Sequence, residues 1–137
     1  MLIPTILAAL LATALSAPTP ARTLEVRQSA TTRNELLNGP CRNVTVIYAR
    51  GTTEDGNIGA LVGPSLESAL DNRLGANIVA FQGVDYPADI AGYLAGGSVS
   101  GGNTLASLVN TASTKCPNTQ IVLSGYRSVR LFRIEYT

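Results

Sequence analysis

The sequence contains no histidine and no tryptophan, and only two of its 137 residues are cysteine. Each absence removes a class of chemistry. Without histidine, this chain alone assembles neither a Ser-His-Asp triad nor a Cys-His pair, and it offers no imidazole to a metal. Cys41 and Cys116 are too few for a small scaffold held together by many disulfides. Charge is scarce too: 14% of residues are charged, with 10 basic and 9 acidic side chains and a formal net charge of +1. Lys115 is the sole lysine, and the arginines are scattered apart from three near the end. No basic patch therefore points to nucleic acid. The longest apolar run, Leu2 to Leu15, falls short of the roughly 20 residues that a spanning helix needs, so no membrane partner is expected. No repeat or low-complexity segment supports a structural wall or surface protein.

That N-terminal run reads instead as a secretory signal. It ends in small residues, with Ala14-Leu15-Ser16 fitting a cleavage site and cleavage after Ala17 the close alternative. Residues 1–17 are taken as a signal peptide and the protein as secreted and extracellular. Residues 18–40 are polar with little periodicity and read as a propeptide or flexible leader, trimmed near Arg22 or Arg27. A short helix is expected to start at Glu35 and to end at Asn38-Gly39-Pro40. Secretion makes a Cys41–Cys116 disulfide the default and two free thiols the alternative. Such a bridge closes a loop of about 75 residues, worth roughly 4 kcal/mol by loop entropy.

From Cys41 onward the pattern is regular. Val44 to Ala49 is β-branched and apolar, as a strand buried on both faces should be. A helix is predicted over "ALVGPSLESALDNRLG" (60–75), with Leu61, Leu66, Ala69, Leu70 and Leu74 at helical spacing and Pro64 near the first turn. Ala76 to Phe81 is a second strand. A long loop holding a short helical turn leads to a second predicted helix over 103–115, with Leu105, Leu108, Val109 and Ala112 on one face. "TQIVLSG" (119–125) is a third strand. This alternation implies an α/β fold with a parallel sheet and right-handed crossovers. Ligands of such sheets bind at the carboxyl ends of the strands, here after Ala49 and Leu123.

Several motifs carry little. The glycine-rich stretches "GTTEDGNIG" and "GYLAGGSVSGG" lack both a following Gly-Lys-Ser/Thr and G-x-G-x-x-G spacing, so nucleotide binding is not expected. Asp85 and Asp89 suggest paired carboxylates, but Pro87 and the loop setting favour solvated charges. Asn43-Val44-Thr45 is a glycosylation sequon whose place at a strand start favours a structural role.

The segments "CRNVTVIYARGTTEDGNIG", "GVDYPADIAGYLAGG" and "TKCPNTQIVLSGY", in that order, together resemble fungal cutinases, over about residues 41 to 126. Acetylxylan esterases share parts of the pattern. The resemblance implies the N-terminal part of a three-layer α/β-hydrolase fold. It also implies a Ser-Asp-His esterase acting on cutin and short-chain esters as a monomer, without cofactor or metal. Cys41 and Cys116 match a disulfide of that family, and Thr52 matches the Ser/Thr that contributes to its oxyanion hole.

After Tyr126 the resemblance breaks. The family continues with Ser-Gln-Gly, whereas here Arg127 occupies the nucleophile position and Ser128 comes one residue late. The turn fixes which residue is presented, so Ser128 is not expected to substitute. Residues 127–137 read as an aberrant tail on an incomplete domain. Codons for Arg127 and Ser128 can accommodate an AG|GT splice donor, in which case residues 128–137 would be translated intron. The chain as written is expected to be inactive. The alternative is a secreted, non-catalytic binding or decoy protein that has kept the ester-binding face.

Overall fold

Three apolar runs form the strands of one sheet in this computed structural model, which describes residues 30–127. The signal peptide expected at 1–17, the trimming positions Arg22 and Arg27, and the tail from Ser128 to Thr137 lie outside the described residues. In chain order the elements are α1 (Glu35–Asn38), β1 (Val44–Ala49), α2 (Gly63–Leu74), β2 (Val79–Gly83), α3 (Ile90–Leu94), α4 (Val99–Lys115) and β3 (Gln120–Gly125). The strand order is β2-β1-β3, and both pairings are parallel.

β1 is central, and its alternating side chains feed two cores. Ile47 and Ala49 join Leu36, Val84, Leu105, Leu108 and Ala112 on the α4 side. Val46 and Tyr48 join Phe81, Val79 and Ile58 on the other side, with Leu66 and Leu70 of α2 against them. The result is helix, sheet, helix: the parallel α/β sheet expected from the alternation of elements, in the three layers that the resemblance implied. The Cys41–Cys116 disulfide is formed, with Cα atoms 5.5 Å apart. It joins the segment before β1 to the end of α4, at the amino ends of the strands.

Boundaries differ from expectation in informative places. β2 begins at Val79 rather than Ala76, because pairing with β1 sets its register from Val44↔Val79 to Tyr48↔Gly83. α4 starts at Val99, upstream of the Gly101-Gly102 pair, because the Ser98 hydroxyl accepts from the Gly101 N–H at 3.0 Å. α2 starts at Gly63, with Pro64 in its first turn. Ala60 and Leu61 stay out of that helix because their N–H groups donate to the Glu54 carboxylate at 3.1 and 2.9 Å.

Packing also begins upstream of Cys41. Residues 31–39, part of the segment read as a leader, lie along the outer edge of β2. The Thr31 carbonyl accepts from the Asn57 and Ile58 N–H groups, and the Arg33 carbonyl accepts from the Gly83 N–H. Asn34 forms an antiparallel bridge with Gln82. Arg33 pairs with Glu67 of α2. Leu36 is buried in the core, and the Lys115 ammonium donates to the carbonyls of Leu36, Leu37 and Gly39. The only lysine thus satisfies the end of α1, where helical carbonyls have no partner of their own.

Candidate functional site

β1 and β3 end side by side. Ala49 pairs with Gly125, and the Tyr126 N–H donates to the Ala49 carbonyl at 3.0 Å. The loops that leave these two ends therefore share one opening.

The loop after β1 is held from three directions. Arg50 is buried, donating from Nε to the Glu54 carbonyl at 2.7 Å and from Nη2 to the Tyr86 carbonyl at 2.8 Å. The Tyr86 hydroxyl donates in return to the Arg50 carbonyl at 2.6 Å, and the guanidinium lies 5.0 Å from the Tyr86 ring centroid. Thr53 donates its N–H to the Ala88 carbonyl at 2.7 Å, with both residues at positive φ, 66° and 48°. Glu54 folds back so that one carboxylate oxygen accepts from the Gly51 N–H and the other from Ala60 and Leu61. A side chain at Gly51 would push the Glu54 carboxylate aside: a Cβ would sit 2.8 Å from Glu54 Oε2 and 3.0 Å from Tyr126 Cδ1.

This bracing engages the N–H groups of Gly51, Thr53 and Glu54 and leaves those of Thr52 over. Neither the Thr52 N–H nor its hydroxyl donates a hydrogen bond among the described residues. Thr52 lines a cleft of about 900 Å³ together with Glu54, Leu61, Ile90, Tyr93, Tyr126 and Arg127. Arg127 adopts φ 59°, a left-handed conformation unusual for a side-chain-bearing residue. That geometry fits a sharp turn at the end of a strand, as a nucleophile elbow requires. Its guanidinium stacks 5.4 Å from the Tyr126 ring centroid.

The structure thus brings the two sequence-predicted positions, Thr52 and Arg127, to one cleft. The cysteines lie at the other end of the strands and serve the fold. Asp85 and Asp89 do not form a pair of reacting groups. Asp89 caps α3 by accepting from the Gly92 N–H at 2.7 Å, while Asp85 lines a separate polar cleft with Thr32 and Asn57. Asn43 is exposed, whereas the Thr45 of its sequon is buried and shares a hydrogen bond with the Thr119 hydroxyl at 2.8 Å. Among the described residues no group of three or more His, Cys, Asp or Glu could hold a metal ion, and no helix is long and apolar enough to cross a membrane.

Residue-level reading missed the apolar rim. Leu61, Ile90 and Tyr93 are 66%, 60% and 53% exposed and line the cleft. Leu61 looked like a core position of α2, and the other two sat in the long loop expected to hold a short helical turn. Beneath the rim, Tyr48 is fully buried with an unpartnered hydroxyl, and Arg50 Nη1 is likewise buried without a partner among the described residues. Burial first, and the nearby Glu54 charge second, push the Tyr48 hydroxyl up to about 12.

Residues 40–128 match the family model for cutinase. A cutinase of Botryotinia fuckeliana is 50% identical over 86 residues, which cover 63% of this chain and 43% of that protein. Cutinase 4 of Emericella nidulans is 52% identical over 101 residues, covering 74% and 44% of the two chains. The solved structure of Trichoderma reesei cutinase in complex with a C11Y4 phosphonate inhibitor superposes with a TM-score of 0.62 at 42% identity, over 70% of this chain and 42% of that one. The chain spans about half the length of the curated relatives it matches.

Proposed function

Because this chain belongs to the cutinase family, we propose that its cleft is the ester-binding and oxyanion side of a secreted carboxylic ester hydrolase acting on cutin and short-chain esters. The observation that carries this reading is the free pair of donors on Thr52, opening on the cleft where β1 and β3 end. In ester hydrolysis a serine attacks the carbonyl carbon, negative charge develops on the carbonyl oxygen, and an acyl-enzyme forms before water releases the acid. Donors fixed in advance at the position of that charge stabilise the transition state. Removing one costs about 100- to 1000-fold in rate. The rim of Leu61, Ile90 and Tyr93 suits the aliphatic part of such a substrate.

These 137 residues do not include the whole reaction machinery. Arg127 stands where the turn would present the nucleophile, and the sequence has no histidine to act as base. The chain as written binds esters without hydrolysing them. Two measurements test this. The secreted chain, incubated with p-nitrophenyl butyrate and a fluorophosphonate probe, should neither release nitrophenol above background nor become labelled; turnover or labelling would sink the claim that this chain binds esters without hydrolysing them. Sequencing cDNA across codons 120–140 then decides which product the organism makes. A transcript with serine at 127 and downstream Asp and His codons yields an active esterase, in which Thr52→Val should lower kcat/KM by about 100-fold or more.

A non-catalytic binding role for the chain as written has its own support. Arg127 places a cation in a cleft whose one acid among the described residues, Glu54, is already occupied by three backbone N–H groups.

A further inference from the structure

We propose that this cleft binds aliphatic monocarboxylates, the class of acid that ester hydrolysis releases, through Arg127 and Thr52. The proposal rests on the ester-binding reading of the cleft and names a ligand that Arg127 favours over the ester itself.

The guanidinium of Arg127 is exposed and has no carboxylate partner among the described residues, whose one ion pair is Arg33–Glu67. Its contact is the Tyr126 ring, which supports one face of the planar group and leaves its edge donors for a ligand. A carboxylate matches those donors two at a time. Thr52, across the same cleft, adds an unengaged N–H and hydroxyl. An ester carbonyl can use the Thr52 donors but gains no charge pairing from Arg127, whereas a carboxylate uses both.

Among the described residues, the one anionic side chain lining the cleft does not cancel this preference. Glu54 accepts from Gly51 at 2.7 Å, Leu61 at 2.9 Å and Ala60 at 3.1 Å, so its charge is met by backbone donors in the loop wall. The rest of the ligand follows from the rim. Leu61, Ile90 and Tyr93 are exposed apolar side chains around an opening of about 900 Å³, room for an alkyl chain rather than for a second charged group. An exposed cation, hydrogen-bond donors across the cleft from it and apolar side chains on the rim describe a fatty-acid-like amphiphile.

The test compares sodium decanoate, below its micellar concentration, with methyl decanoate by calorimetric titration of the 137-residue chain at pH 7. Decanoate should bind about tenfold or more tightly than its methyl ester, as a charge-assisted contact warrants. Arg127→Gln should abolish that preference and Arg127→Lys retain part of it. Position 127 is exposed, and a melting curve of each variant shows whether the fold is kept. Equal affinity for acid and ester in the unaltered chain, or a preference that survives Arg127→Gln, overturns the proposal. The ester arm separates the two readings: ester binding without an acid preference removes only the carboxylate site, and binding of neither ligand removes the ester-binding face as well.

Discussion

The two outer strands of the sheet have opposite fates. β2, Val-Ala-Phe-Gln-Gly, is buried at every position, including Gln82 at 1% exposure. β3, Gln-Ile-Val-Leu-Ser-Gly, has no buried residue, and its Val122 and Leu123 are 45% and 47% exposed. Hydropathy alone would rank them the other way. What differs is the cover. Residues 31–39 close the β2 edge, and the Gln82 amide is satisfied within that cover: its Nε2 donates to Asn34 Oδ1 and the Gly83 carbonyl, and its Oε1 accepts from the Leu37 N–H. Among the described residues β3 pairs only with β1, so its other edge and both apolar side chains stay open. A buried glutamine with partners is tolerable, whereas an uncovered apolar edge recruits other chains.

The largest expected effect comes from breaking the covalent tie between the covered and open sides. Cys41→Ser with Cys116→Ser should lower stability by roughly 4 kcal/mol in urea unfolding. Amide exchange should then rise first in β3, the strand with less cover. A pair of truncations sharpens the contrast. Leu36→Ala, beneath the covered edge, should cost about 3 kcal/mol, while Leu123→Ala on the open edge should cost under about 1 kcal/mol. Similar losses for both would erase the distinction. Leu123→Lys should raise the soluble, monomeric fraction in sedimentation, because a charge on an edge strand discourages pairing with other chains.

Titration distinguishes the regions further. The folded state holds the Tyr48 proton up to about 12, against 10.0 for an unperturbed tyrosine. Its contribution to stability is complete below pH 10 and lost as pH rises toward 12, a fall of roughly 2–3 kcal/mol. Tyr48→Phe should flatten that fall and cost little at pH 7, because the hydroxyl has no partner among the described residues. The smallest effect lies in the covering segment. Burial raises the Glu35 carboxyl above its usual 4.5, although the Phe81 N–H bond opposes the shift. Its contribution therefore declines as pH rises from 4.5 through the folded value, and Glu35→Gln should remove that slope in pH-dependent thermal melts.

The same comparison shows what could be read from the amino-acid order. β1, β3 and the face of α4 were legible because their signals are local: β-branched runs, and Leu105, Leu108 and Ala112 at helical spacing. The disulfide followed from two cysteines in a chain read as secreted. The cover over β2 was hidden because its polar residues find partners far along the chain, Arg33 at Asn57 and Asn34 at Gln82. Local polarity there looked like a leader. At the site, Thr52 and Arg127 came from family resemblance, and only the fold joins them to Leu61, Ile90 and Tyr93. The fact that distinguishes Thr52, its unengaged N–H, depends on where Glu54 and Ala88 place their acceptors.

The most direct measurement is an amide-resolved NMR titration of the 137-residue chain with methyl decanoate. The account predicts that the Thr52 N–H moves first and furthest, with Leu61 and Tyr126 following and β2 silent. Saturable shifts that leave Thr52 unmoved, or that centre on the open β3 edge, would contradict it.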